Sequence, residues 1–271
     1  MNVLEDFGGT GPLLHFAHAN AYPVKTYSSF LKLFTDQFTV VGLNQRPMWE
    51  DSSPGTFEDW TVLAEDLIQH LRQNQFENVI GVGHSMGANA TLMAAQIEPS
   101  LFSKIVLIDP VILPEQIYQL LENASFEEKR KMNPLLEKAM KRRNEWLSQE
   151  DAIQYFESKT FFQRFSDTAK EDFITHGLRQ QSNGSLTLAY SREWEARVYG
   201  TGNSPWSYLR QIQHPCLIIR AEHSDVMRTE DEWSDIKSQT GMSTCIQLDG
   251  AGHLIPQESP IELHNKMTEF L

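Results

Sequence analysis

The pentapeptide Gly83-His84-Ser85-Met86-Gly87 sets one serine between two glycines, where the apolar run NVIGVG gives way to the helix-forming run ANATLMAAQ. A sharp strand-to-helix turn strains the backbone of its central residue, so the flanking positions must carry almost no side chain. A serine raised on such a turn is placed to act as a nucleophile. The turn also sets the first N–H of the following helix, that of Met86, beside the serine, where its partial positive charge can stabilise an oxyanion. An incidental serine in a glycine-rich turn would account for the pentapeptide but not for the strand before it and the helix after it.

A serine hydroxyl is a weak nucleophile until a base takes its proton and an acid orients that base. Both partners are sought later in the chain, at strand ends. Downstream of the strand-like run STCIQLD, the segment GAGHLIPQESP holds His253 in a glycine-bearing loop just before a helix. His253 is therefore the expected base. The other histidines read as packing or surface residues: His70 on an amphipathic helix, His176 in a helical block, His214 before Pro215 and His264 in the last helix. His84, although next to Ser85, points away along the opposite direction of the turn. For the acid, CLIIRAEHSDVM places Asp225 a few residues past a strand, in a loop long enough to reach the base. Asp225 is the expected acid and Asp109, which ends the strand IVLID, is its rival.

The elements that position these residues follow from periodicity. LLHFA and FTVVGL flank a helical stretch, and FEDWTVLAEDLIQHLRQN, NVIGVG, ANATLMAAQI and KIVLIDPV continue the alternation of helix and strand. Continuous apolar strands alternating with helices predict a mostly parallel sheet covered by helices on both faces. The alternation stops near Leu113, and charged, aromatic-rich helical segments run to about Ser207. It resumes with CLIIRA, a helix over DEWSDIKSQT, the strand STCIQLD and a closing helix from Pro260. We expect an α/β core made of residues 1–112 and 208–271, and an inserted helical cap over 113–207, lying where the strands end and ligands bind.

Composition narrows the partners. A formal net charge of −13 repels polyanions and argues against nucleic acid. The basic stretch from Lys129 to Arg143 reads as a solvated helix face. Apolar runs stay short of a membrane span, which argues against stable membrane insertion, and the opening residues MNVLEDFGGTG lack the basic and apolar regions of a secretory signal. A cytoplasmic location is expected. The two cysteines, Cys216 and Cys245, stand in apolar runs without metal-ligand spacing and are expected to be buried reduced thiols.

Taken together, the order Ser85, acid, His253, with a cap between KIVLIDP and CLIIRA, resembles the α/β-hydrolase superfamily in its capped, cofactor-independent branch. The resemblance covers nearly the whole chain. It implies a serine hydrolase that cleaves an ester, thioester or related acyl bond through an acyl-enzyme, with neither metal nor organic cofactor. It also implies a second oxyanion donor after an early His-Gly motif; here the matching residues are His18-Ala19-Asn20, which make Asn20, or the neighbouring Ala21, that donor. Arg46, in Leu43-Asn44-Gln45-Arg46-Pro47, is expected to brace loops. The cap aromatics, read as packing residues one by one, together suggest a small-molecule substrate with an apolar portion. Rival readings on the same triad are C–C hydrolysis and cofactor-free perhydrolysis, and a hydrolase fold retained only to sense ligands is a third.

Overall fold

The computed structural model describes residues 4–241 and 243–271. The first three residues, on which the reading of the N-terminal stretch partly rests, lie outside the described residues.

Seven strands form the main sheet: β1 (Leu4–Gly8), β2 (Leu13–Ala17), β3 (Thr39–Leu43), β4 (Val79–His84) and β5 (Phe102–Ile108) before the insertion, with two more after it. The insertion itself carries β6 (Glu145–Trp146), β7 (Leu178–Gln180) and β8 (Leu186–Leu188), and β9 (Cys216–His223) and β10 (Thr244–Gly252) then complete the main sheet. Its strand order is β1-β3-β2-β4-β5-β9-β10. Only β1 runs antiparallel to its neighbour, β3; the remaining pairs are parallel. The chain therefore has the expected mostly parallel sheet, with a single antiparallel strand at the edge ahead of β2.

Period-two alternation divides the strands between two cores. Ile80, Val82, Val106, Ile108, Leu217 and Ile219 face one helical layer, which includes Phe30, Leu31 and Leu263. Val79, Ile105, Leu107, Cys216 and Ile218 face the other, built on the helices Thr61–Gln73 and Met86–Ile97. A strand buried on both faces needs apolar residues at every position, which is why these runs are continuous in sequence.

The insertion is mostly helical and also carries a small sheet. Its strands β6, β8 and β7 pair antiparallel. Strands of two or three residues are too short for a period to register, although Asn183-Gly184 is a turn signal, and Gly184 has a φ of +88° there. The basic stretch from Lys129 to Arg143 is not one helix. It breaks between Phe126–Met132 and Pro134–Lys141, because a proline lacks the N–H that would continue the first helix and instead starts the second.

The aromatics of the insertion mostly fill its own core. Trp146, Phe156, Phe162, Phe165 and Phe173 are buried together, and Trp206 packs into the main core. Cys216 is buried and Cys245 partly so, both as free thiols. Burial pushes the Cys216 thiol up to about 12. Among the described residues no helix is long and apolar enough to cross a membrane.

Ile105 is completely buried between β4 and β9. Ile105→Ala is expected to lower the unfolding free energy by about 2–5 kcal/mol, read from urea denaturation, because it removes buried methyl groups and leaves a cavity.

Candidate active site

Four chain segments that leave the carboxyl ends of parallel strands meet at one point: the residues after β2, β4, β5 and β10. This is the edge at which parallel α/β sheets bind ligands.

Ser85 follows β4 directly and precedes the helix Met86–Ile97, with φ 54° and ψ −121°. Such a conformation costs about 1–3 kcal/mol for a residue with a side chain and persists only where the surroundings enforce it. The flanking glycines show how it is enforced. A Cβ on Gly83 would lie 2.3 Å from the Gly87 carbonyl oxygen, and one on Gly87 would lie 2.1 Å from the Ala17 carbonyl oxygen and 2.6 Å from that of His18. The elbow is thus pressed against itself and against the loop that carries Asn20. Met86, the first residue of the helix, is fully buried.

His253 follows β10, whose register against β9 shifts between Leu248 and Gly252. The irregularity turns the chain across the sheet edge, and Gly250 takes a φ of +70° within it. Side chains fasten the segment: Glu222 accepts from Gly250 N–H at 2.7 Å and Glu258 from Gly252 N–H at 2.8 Å. From the insertion, Arg164 donates to the Gly250 carbonyl at 2.9 Å and to Glu258 at 2.7 Å. In this position His253 Nε2 lies 2.9 Å from Ser85 Oγ, and Nδ1 lies 2.6 Å from Asp109 Oδ2. A carboxylate can only accept, so Nδ1 carries the proton and Nε2 presents its lone pair to the serine hydroxyl.

The carboxylate hydrogen-bonded to His253 is therefore Asp109, a correction to the expectation that Asp225 would stand there. Asp225 Oδ1 stands 3.8 Å from Nδ1 and its side chain is 61% exposed, whereas that of Asp109 is 0% exposed. Two local features account for the difference. Asp109 leaves β5 with a φ of +40°, which swings its side chain towards the end of β10. The end of β9 and the loop after it, expected to bring the acid, instead clamp Asp109: Ala221 N–H in the strand donates to Oδ1 at 2.9 Å and Ser224 Oγ–H in the loop to Oδ2 at 2.8 Å. Ser224 Oγ accepts in turn from Met227 N–H at 3.0 Å. Sequence reasoning passed over Ser224, which carries no motif of its own.

Two opposing effects act on the His253 ring. Burial pushes the His253 imidazole down, but the hydrogen bond and charge of Asp109, helped by the charges of Asp225 and Glu258, outweigh it and raise its pKa above the ordinary 6.5. His84 and His18 are fully buried and go the other way. Desolvation takes His84 well below the ordinary value and His18 down to about 4. His18 accepts from Gln45 N–H through Nε2 at 3.0 Å, so its proton sits on Nδ1, facing the Ala19 carbonyl at 2.7 Å.

Asn20 lies in the loop after β2, buried at 7% exposure, and its neighbour Ala21 has a φ of +69°. The Asn20 amide donates through Nδ2 to the Glu195 carbonyl at 3.1 Å, and Oδ1 is buried with no partner among the described residues. Glu195 belongs to the insertion helix Arg192–Thr201 and forms an ion pair with Arg142. Tyr190, Trp194 and Val198 of the insertion are buried in the same cluster as Met86 and Ala90 of the helix after the elbow. Arg46 grips both oxygens of Asp66 through Nε and Nη2, tying the loop after β3 to the helix Thr61–Gln73. Among the described residues no group of three or more His, Cys, Asp or Glu could hold a metal ion.

A family model described as alpha/beta hydrolase fold matches residues 18–260. The chain belongs to the α/β-hydrolase fold family. It is similar to the uncharacterized hydrolase YugF of Bacillus subtilis (strain 168), at 23% identity over 247 residues, covering 91% of this chain and 85% of the relative. Among solved structures, E-2-(acetamidomethylene)succinate hydrolase superposes with a TM-score of 0.81 at 20% identity, covering 98% of this chain and 93% of that one. An M. tuberculosis esterase superposes with a TM-score of 0.73 at 17% identity, covering 98% and 87%.

Gly87→Ala tests the elbow itself. The added methyl would meet backbone carbonyls rather than a movable side chain, so the variant is expected to lower the thermal midpoint, or to prevent soluble expression, more than Ala→Gly changes elsewhere in the same helix, which cost about 1 kcal/mol.

Proposed function

We propose that the protein is a serine hydrolase that cleaves an ester, thioester or related acyl bond through an acyl-enzyme, with Ser85 as nucleophile, His253 as base and Asp109 as the orienting acid. The observation that carries this reading is the unbroken hydrogen-bonded series from Asp109 Oδ2 through the His253 ring to Ser85 Oγ. Two relatives support a hydrolytic reaction by name, as a hydrolase and an esterase.

In the proposed reaction Ser85 Oγ attacks the acyl carbon while its proton passes to His253 Nε2. The N–H groups of Met86 and of Asn20 hold the oxyanion of the tetrahedral intermediate. His253 then returns the proton to the leaving group, which departs and leaves the acyl group on Ser85. Water attacks that ester, its proton passing to Nε2, and breakdown of the second intermediate releases the acid and restores the Ser85 hydroxyl. Throughout, Asp109 holds the imidazole in the Nδ1–H tautomer and stabilises the imidazolium that forms. Residues 113–207 act as a cap that covers this chemistry. Burial of Trp146, Phe156 and Phe162 within the cap's own core withdraws the support that those aromatics lent to an apolar substrate portion.

Ser85→Ala is expected to remove turnover, by about 10⁶-fold as when a triad serine is lost, while circular dichroism stays unchanged. Ester hydrolysis by that variant at the wild-type rate would sink the reading, and a fluorophosphonate probe that labels wild type but not Ser85→Ala would separate an enzyme from a ligand-sensing relic.

The two acids are separable by kcat/KM. Asp109→Asn is expected to cost up to about 10⁴-fold, the loss seen when a triad base is left in the wrong tautomer. Asp225→Asn is expected to cost less than about tenfold, because an exposed carboxylate outside hydrogen-bond range interacts weakly.

The pH dependence follows from the sign of the shift at the base. Only neutral His253 can accept the serine proton, so kcat/KM should rise with pH through the raised pKa, with its acid limb above the ordinary 6.5. Asp109→Asn removes the main interaction favouring the imidazolium, so the limb of its residual activity should move to lower pH. A limb that stays in place in this variant would assign the titration to another group.

A further inference from the structure

His84 stands between the last apolar residue of β4 and the nucleophile, completely buried, and the proposed reaction gives it no task. Its ring nevertheless has two partners with fixed roles. Nε2 lies 2.8 Å from the backbone carbonyl oxygen of His253. That oxygen can only accept, so Nε2 carries the proton and Nδ1 is left as an acceptor. The Tyr27 hydroxyl lies 2.9 Å from Nδ1 and must donate to it. With its proton so committed, the same hydroxyl accepts from Ala19 N–H at 3.2 Å.

Every donor in this series has one acceptor and the direction never conflicts: Ala19 N–H to Tyr27 Oη, Tyr27 O–H to His84 Nδ1, His84 Nε2–H to the His253 carbonyl. Ala19 immediately precedes Asn20, and His84 immediately precedes Ser85. The series thus joins the loop of the proposed oxyanion donor, the elbow and the base segment at their backbones. All of its members except His253 are at most 2% exposed, so water does not compete for these bonds, and an unmade bond there would leave a buried polar group unsatisfied.

We propose that His84 is a positioning residue: through its Nε2–H donor to the His253 carbonyl, with Tyr27 holding the ring, it sets the base against Ser85 and couples the base segment to the loop of Asn20. This rests on the Ser85–His253 reading above. Burial, followed by repulsion from His253 and His18, holds His84 neutral, whereas its hydrogen bond to the His253 carbonyl acts in the opposite sense. The neutral form is the one that donates through Nε2 while accepting through Nδ1. A base displaced by a fraction of an ångström loses rate in the chemical step rather than in substrate binding, which separates this role from a packing role.

The test uses His84→Phe, which keeps the ring volume and removes both hydrogen bonds, His84→Gln, whose amide can still donate towards the carbonyl, and Tyr27→Phe, which removes only the relay hydroxyl. For each, the rate of fluorophosphonate labelling, kcat and KM for p-nitrophenyl acetate, and the thermal midpoint are measured. Loss of both bonds, the donor to the His253 carbonyl above all, is expected to slow labelling and kcat in His84→Phe by about tenfold or more, with KM close to wild type. His84→Gln should recover most of that loss and Tyr27→Phe should fall between. Labelling at the wild-type rate in His84→Phe overturns the inference, as does a His84→Gln variant as slow as His84→Phe at an unchanged thermal midpoint. Should His84→Phe fail to fold, Tyr27→Phe decides, and a wild-type labelling rate there has the same consequence. Wild-type protein that takes no label overturns the serine-hydrolase reading itself, which keeps the two failures distinct.

Discussion

The carboxylate of Asp109 is wholly removed from water, and a buried charge is tolerated only where hydrogen-bond donors replace the lost hydration. Three donors do so: Ala221 N–H, Ser224 Oγ–H and His253 Nδ1–H. Each comes from a different stage of the chain's path. Asp109 follows β5, Ala221 lies within β9, Ser224 follows β9 and His253 follows β10, so the carboxylate joins three neighbouring strands at one edge. Their parallel register sets the position of each donor, and the irregularity before Gly252 brings the imidazole across to meet the carboxylate.

The elbow imposes a second constraint on the same edge. Its strained serine is held by close backbone contacts at Gly83 and Gly87, and the second of these is made against Ala17 and His18. Ser85 and the loop of Asn20 are therefore fixed to each other by steric contact, while Ser85 and His253 are joined by a hydrogen bond. The insertion acts from above. Arg164 holds the base segment and Glu195 accepts from Asn20, so the part of the chain most remote from the sheet's own logic reaches two of the segments that meet at Ser85.

Much of this was legible in the residues. The glycine-bracketed serine between a strand and a helix, the histidine in a glycine-bearing loop after the last strand, and apolar runs alternating with helical periods all have local physical causes. Crowding, backbone freedom and burial on two faces act within a few residues of chain, so they leave local marks. The break at Pro134 was equally local, and reading the whole Lys129–Arg143 stretch as one helical face passed over a residue that ends helices. The three short strands of the insertion left almost no mark, since a period needs more residues than they contain.

The choice between Asp109 and Asp225 lay beyond the sequence. Both follow apolar strands and both precede a change of direction, so their local patterns are equivalent. The decision came from the positive φ at Asp109, from donors in the loop after β9, and from the lateral shift of the chain after Leu248. Those features belong to strands adjacent in space but more than a hundred residues apart in sequence, since Ser224 and Asp109 are separated by 115 positions. The sequence by itself marked Ser85 and His253 as the residues to meet and determined the sheet that carries them. Tertiary structure alone decided which carboxylate meets His253, because a carboxylate's part depends on the donors brought to it, and chain folding brings them.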